Sequence, residues 1–281
     1  MTEKSQDWPT HPPTPTFLDP PIIELVLGVQ FSPLTKLTSG HFGLFWKSLS
    51  EEWSLPSDAP ALSDEFETFD VPPWRKAQMM QFSLGPAPTP GRFMVTHRNG
   101  DRLIQMQPSR FHLNWRKKDG QTRYLSYKTL IAEFEEAFKK FSEFVREREL
   151  GTILPNQWEL TYVNAFPKGP HWKTPADWSN VLPSLFSDLF PVNGLGIGLD
   201  GRSAEWSYEI IPKLGRLHIA AGPGLWEGNE SLLLRTTARG PIDKSNPLGL
   251  RAGLDLGHDA AVGVFLKVTS PELKTSWREQ K

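Results

Sequence analysis

Residues 22–31 read IIELVLGVQF, and residues 158–166 read WELTYVNAF. Glu24-Leu25 followed by Phe31 returns as Glu159-Leu160 followed by Phe166, with the same internal spacing at an offset of 135. Both stretches are rich in β-branched and aromatic residues. Ser32-Pro33 stops the first, and Pro155 and Pro167 bound the second, so each is predicted to be a strand.

Working outward, each strand is followed by elements in a matching order. After the first, Phe42, Phe45, Leu49 and Trp53 recur at helical spacing with Trp46 beside the stripe. A polar, Pro-rich stretch runs from Ser57 to Pro90, with short strands expected at Phe66–Phe69 and Met79–Leu84. Phe93–Arg98 and Arg102–Gln107 flank Asn99-Gly100, a pair that accepts the positive φ angles of a tight hairpin turn. Phe111–Trp115 is a third strand. Leu130, Ile131, Phe134, Phe138, Phe141 and Val145 then form a long amphipathic helix. After the second stretch come a helix over Trp178–Phe190, a hairpin of Ala204–Ile211 with Arg216–Ala221, a strand over Ser231–Arg239 and a helix over Asp255–Val268. Arg102-Leu103 and Arg216-Leu217 open equivalent hairpin strands, which strengthens the case for an internal repeat.

These patterns predict an α+β fold with a duplicated strand–helix–antiparallel strands–helix unit. Two such units can join edge to edge as one curved sheet with helices on one face, as in TATA-binding-protein-like and helix-grip folds. Residues 1–20, with their many prolines, form a flexible arm; residues 21–150 are the first half and 151–281 the second, packed as one unit.

Composition narrows the functional classes. The chain has 281 residues and no Cys, which excludes disulfides, thiolate metal sites and thiol nucleophiles and suits a reducing, cytoplasmic location. The proline-rich start lacks a basic and apolar signal sequence, and Glu24 interrupts the best apolar run, so no membrane is expected. Net charge is −1, but unevenly distributed. Residues 1–90 carry five cations against eleven acids, whereas residues 91–128 carry nine cations against Asp101 and Asp119.

The basic stretch interleaves Arg98, Arg102, Arg110 and Arg116 with Phe111, Trp115, Tyr124 and Tyr127. Cations with aromatics can follow phosphates and stack bases, so residues 91–128 are a candidate nucleic-acid surface. The same arginines can equally pair with the acidic first third or with an acidic protein. A protein partner, or self-association, is the expected interaction. Arg98, Arg102, Arg110, Trp115 and Arg116 are the candidate binding residues.

Glu24 and Glu159 each fall inside an apolar strand, out of phase with its apolar face. If a twofold axis relates the halves, the two carboxylates could meet at the seam as an acid–base pair, which is the enzymatic alternative. Otherwise each lies on the open face or bonds an arginine such as Arg102 or Arg216. His97 and His112 fall on strands, and His258 shares a helix face with Asp255. No His pair has metal-ligand spacing, so neither metal nor cofactor is expected. GLGIGLDG at 194–201 lacks the strand before it and helix after it that a phosphate loop needs.

Three segments resemble a family. Pro20-Pro21-Ile22-Ile23-Glu24 running to Gln30-Phe31, Thr161-Tyr162-Val163-Asn164, and Leu256 through Phe265 to Val268-Thr269-Ser270-Pro271-Glu272 and Trp277 are similar to motifs of a sporadically distributed prokaryotic family of uncharacterised proteins. That family often has arginine where Thr161 stands. The resemblance adds Tyr162 and Asn164 to the candidate binding residues. It implies an accessory or genome-defence setting and no established activity. The expectation is a non-catalytic binding module that uses an exposed sheet face.

Overall fold

Alternate residues of a pleated strand point to opposite sides, and Ile22–Phe31 (β2) obeys that rule. Leu25, Leu27, Val29 and Phe31 are buried in the core, while Glu24, Val26, Gly28 and Gln30 share the other face. The protein is seen in a computed structural model that describes residues 16–17, 19–70, 91–119, 122–187, 198–242, 249–277 and 279–280. The expected strand at Met79–Leu84 lies outside these residues.

β2 belongs to a nine-stranded antiparallel sheet. The other strands are β3 (Trp53–Ala59), β4 (Arg92–His97), β5 (Arg102–Gln107), β6 (Arg110–Arg116), β7 (Pro155–Pro167), β8 (Ala204–Ile210), β9 (Gly215–Trp226) and β10 (Asn229–Pro241). Their order is β3-β4-β5-β6-β2-β7-β10-β9-β8. β2 and β7 are therefore antiparallel neighbours near the middle. Reading outward from that seam gives β6, β5, β4 and then the edge strand β3 on one side, and β10, β9, β8 on the other. Outside the sheet, Thr16–Phe17 (β1) pairs with Glu279–Gln280 (β11).

Among the described residues, six α-helical segments and a 3-10 turn at Pro175–Asp177 complete the α+β fold. The two long ones are α2 (Tyr127–Glu147) and α5 (Leu250–Val268). The Ser126 side chain accepts the Thr129 N–H and so caps α2. The α2 phenyl stripe meets the sheet directly: Phe141 lies 5.2 Å from Phe111 and 6.2 Å from Phe31 between ring centroids. α1 (Ser39–Ser48) adds Phe42, stacked on Phe93 at 5.9 Å. α5 comes close to β7 because Gly253 and Gly257 leave room for the Trp158 indole. These contacts cover one sheet face. The short segments are α3 (Trp178–Val181), α4 (Ile211–Leu214) and α6 (Pro271–Ser276).

Several sequence expectations need correction. Trp53 does not extend α1: that helix stops at Ser48, and Trp53 begins the edge strand β3. Pro56 fits there because an edge strand needs hydrogen bonds on one side only. The helix expected over Trp178–Phe190 stops at Val181, since Pro183 lacks the N–H that another turn requires. Phe66–Phe69, expected as a short strand, forms none.

Candidate functional site

The sheet face opposite the helices is polar, and its alternating residues form rows. β6 presents Arg110, His112, Asn114 and Arg116, β7 presents Gln157, Glu159 and Thr161, and β9 presents Arg216 and His218. β10 places Arg239 opposite both Glu159 and Arg216. Arg110, Arg216 and Arg239 thus reach one region although more than a hundred residues separate the first from the others.

Residues 62–69 cross this region as an acidic strap. Gln107 holds the strap's Leu62 as a neighbouring strand would: its side-chain oxygen accepts the Leu62 N–H at 3.0 Å, and its amide donates to the Leu62 carbonyl at 2.9 Å. Gln157 repeats the pattern, accepting from Glu67 N–H at 2.8 Å and donating to the Glu65 carbonyl at 2.5 Å. Gln30 donates to the same Glu65 carbonyl at 3.0 Å. Amide side chains thus satisfy a backbone that no ladder reaches.

The strap's acids meet the cations. Glu67 accepts from Arg216 Nε at 3.0 Å and Arg239 Nε at 3.2 Å, and it contacts His218 Nε2 at 2.7 Å. Burial alone would raise the Glu67 pKa. The His218 hydrogen bond and the charges of His218, Arg239 and Arg216 outweigh it and hold the carboxyl below its usual value. Glu65 pairs with Arg239, and Arg110 meets Asp64 at 3.6 Å and the Ser63 carbonyl at 2.5 Å. The Arg216 guanidinium also lies 5.3 Å from the Phe69 ring centroid. Glu159 sits between Arg110, at 3.9 Å, and Arg239, at 3.8 Å. The His112 ring lies against Gly28, where a side chain would strike it. Burial pushes the His112 pKa down to about 4, against the pull of Glu159, so the ring is neutral near pH 7.

The five expected binding residues of the basic stretch are not brought into one surface. Arg110 and Arg116 share the open face, where Arg116 bonds Glu24 at 3.1 Å. Arg98 is exposed beside Glu52, at 2.9 Å. Arg102 points to the helix side and bonds Glu133 at 3.0 Å. Trp115 is buried on that side, edge-on to Tyr124, so it cannot stack a base on the open face. The paired acids Asp19, Glu24, Glu52 and Asp64 come from the acidic first third, which accounts for the opposed charges of the two stretches.

Glu24 and Glu159 do not form a pair. Glu24 lies opposite Val163, and Glu159 is four residues further along β7, roughly 13 Å at the rise of an extended strand. Asn114 donates to Glu24 at 2.7 Å, which satisfies that carboxylate locally. Asp255 and His258 meet tyrosines: Asp255 accepts from Tyr127 at 2.8 Å, and His258 Nδ1 contacts Tyr162 OH at 2.8 Å. Among the described residues, no group of three or more His, Asp or Glu could hold a metal ion. Nor is any helix among them long and apolar enough to cross a membrane.

Tyr162 and Asn164 face the helices and line a cavity there with Pro20, Ile22, His258 and Phe265. All three segments that carry the family resemblance contribute to its wall. Arg239, His218, Gln157 and the strap were missed by sequence reasoning. Their signal is the two-residue alternation of Gln157/Glu159/Thr161 and Arg216/His218, which specifies a face only once strand order is known. In comparisons with known proteins, no family model matches the chain and no curated protein matches it.

Proposed function

We propose that the protein is a non-catalytic recognition module that binds an extended, acidic protein segment across the open sheet face. The observation that carries this reading is the strap itself. Gln107, Gln157 and Gln30 engage its backbone while Arg110, Arg216 and Arg239 engage its acids. A face built to hold one such segment has the chemistry to hold another, from a protein partner or a second copy of this chain. Nucleic acid fits less well, because the cations already meet carboxylates and the buried Trp115 offers no stacking surface. An accessory or defence role, implied by the family resemblance, belongs to the same proposal.

We also propose a tandem duplication with a TATA-binding-protein-like plan. The mirrored strand order supports it, as does the pairing of Val26 with Thr161, two positions separated by the 135-residue offset.

The test uses the double variant Asp64→Asn/Glu65→Gln, whose altered acids are partly exposed and whose Glu67 is kept. A labelled peptide of residues 61–70 should bind this variant roughly tenfold or more tighter than wild type, the scale of about 1.4 kcal/mol. Binding should weaken with salt. If the variant instead prefers duplex DNA to the peptide, the reading passes to nucleic acid; if it binds neither, open-face recognition fails.

A further inference from the structure

A second site lies on the other side of the sheet. Between the sheet, α2 and α5 is a cavity of about 570 Å³, within the range of ligand sites in proteins. Its floor is polar. Asn164 on β7 and Thr236 on β10 are nearly fully buried there, and Asn164 Oδ1 and Thr236 Oγ1 have no hydrogen-bond partner. The register places Thr236 opposite Tyr162, one step along the same face from Asn164, so the two groups project together. Buried polar atoms are nearly always paired, so two such atoms on diagonal neighbours lining one cavity of this size point to a ligand that pairs them.

The walls specify that ligand further. Tyr127 stacks on His258 at 3.9 Å with the rings 2° from parallel, and Tyr124 and Phe265 add further aromatic surface. Tyr127 and Tyr162 are already engaged by Asp255 and His258. Burial pushes Tyr124 up to about 12 and His258 down to about 4, so these wall groups are neutral near pH 7. Exposed Arg123 and Lys128 stand at the rim. The interior suits an uncharged planar ring with a donor for Asn164, and the rim suits an anion.

We infer that this cavity binds a small molecule made of a neutral aromatic or heteroaromatic ring with an N–H donor, joined to an anionic tail. The site is separate from the open face and does not depend on the reading of the strap. Two sources carry this chemistry, a nucleoside monophosphate and an aromatic carboxylic acid.

The experiment titrates the full chain with adenosine monophosphate in one arm and indole-3-acetate in the other, by calorimetry and thermal shift. At least one probe should bind with a stoichiometry of one and raise the unfolding midpoint, and the arm that responds identifies the tail. Thr236→Val keeps the shape and removes only an unpartnered hydroxyl, so the free variant should unfold at or above the wild-type midpoint. It should nevertheless bind the responding probe about tenfold more weakly, the scale expected for one lost ligand hydrogen bond. Val262→Trp, which fills the cavity, should abolish binding. Thr237→Val, on the opposite face, should leave it unchanged. The inference is overturned if neither probe binds at about 1 mM, a concentration that registers weak complexes. It is equally overturned if Thr236→Val and Val262→Trp bind as wild type does.

Discussion

His112 shows how one residue couples the polar face to stability. Its ring occupies the space left by Gly28, and it is buried near Glu159 and Arg110. Its pKa is about 4 in the folded chain and about 6.5 when unfolded. The folded state therefore resists a proton that the unfolded chain accepts. Stability is fully present above about pH 6.5 and is lost as pH falls toward 4. His258 acts in the same direction, because burial lowers its pKa to about 4 as well. Glu67, a carboxyl held below its usual value, loses its contribution only below about pH 4.5, so the interval from pH 6.5 to 5 belongs to the histidines. Urea unfolding measured across that interval should show stability falling with acidity. His112→Asn should flatten the slope by up to about 1.4 kcal/mol per pH unit, the effect of one proton. An unchanged slope would mean that His112 is already protonated in the folded chain.

At the scale of elements, the packing of α5 on β7 depends on the Trp158 indole. A Cβ on Gly253 would lie 2.3 Å from Trp158 Cδ1, whereas one on Gly263 would meet nothing within 4 Å. Alanine is favoured over glycine inside a helix by about 1 kcal/mol, and overpacking costs about 1–3 kcal/mol. At Gly263 only the first effect operates, so Gly263→Ala should stabilise. At Gly253 the clash wins, because the indole is enclosed from the sheet side by Gly215 and Gly240 and has nowhere to move. Gly253→Ala should therefore lower the thermal midpoint. Equal shifts in both variants would show that the two effects were misjudged. The elements that sequence revealed are those with strong local periodicity: β2, the Asn99-Gly100 hairpin and the phenyl stripe of α2 all appear where expected. β3 escaped because its Pro56 reads as loop, and edge geometry that tolerates proline is a property of the sheet. The cavity was only half legible. Tyr162 and Asn164 stood out through a motif, but Thr236 and His258 join them through pairing and packing between distant segments. The strap was illegible as a binding element because side chains from five strands hold its backbone in place of a ladder.

At the scale of the whole molecule, three groups of contacts stand out among those that the described residues make across the boundary between residues 21–150 and 151–281. β2 pairs with β7 along their length, bringing Leu25, Leu27 and Val29 opposite Tyr162, Leu160 and Trp158, all buried. On the open face the strap leaves the first half and ends on Arg216, His218 and Arg239 of the second. On the helix face Tyr127 reaches Asp255 at 2.8 Å, and Glu135 reaches Arg251 at 3.0 Å. The sheet connection dominates. Separating the halves would expose an apolar strand edge on each, and the surface ion pair adds at most about 1 kcal/mol. Removing the strap's acids would leave buried Arg216 without its acid and Arg110 and Arg239 sharing Glu159 alone, a cost of about 3–5 kcal/mol. The halves should therefore unfold together. Scanning calorimetry of the full chain should give one transition, with calorimetric and van't Hoff enthalpies in agreement. Residues 21–150 or 151–281 made separately should be insoluble or self-associated through the bare β2 or β7 edge, and co-expression should recover a one-to-one complex. Two resolved transitions, or a monomeric folded half, would mean that the β2–β7 seam joins two independent domains and that the cavity and strap, which span it, close only when those domains dock.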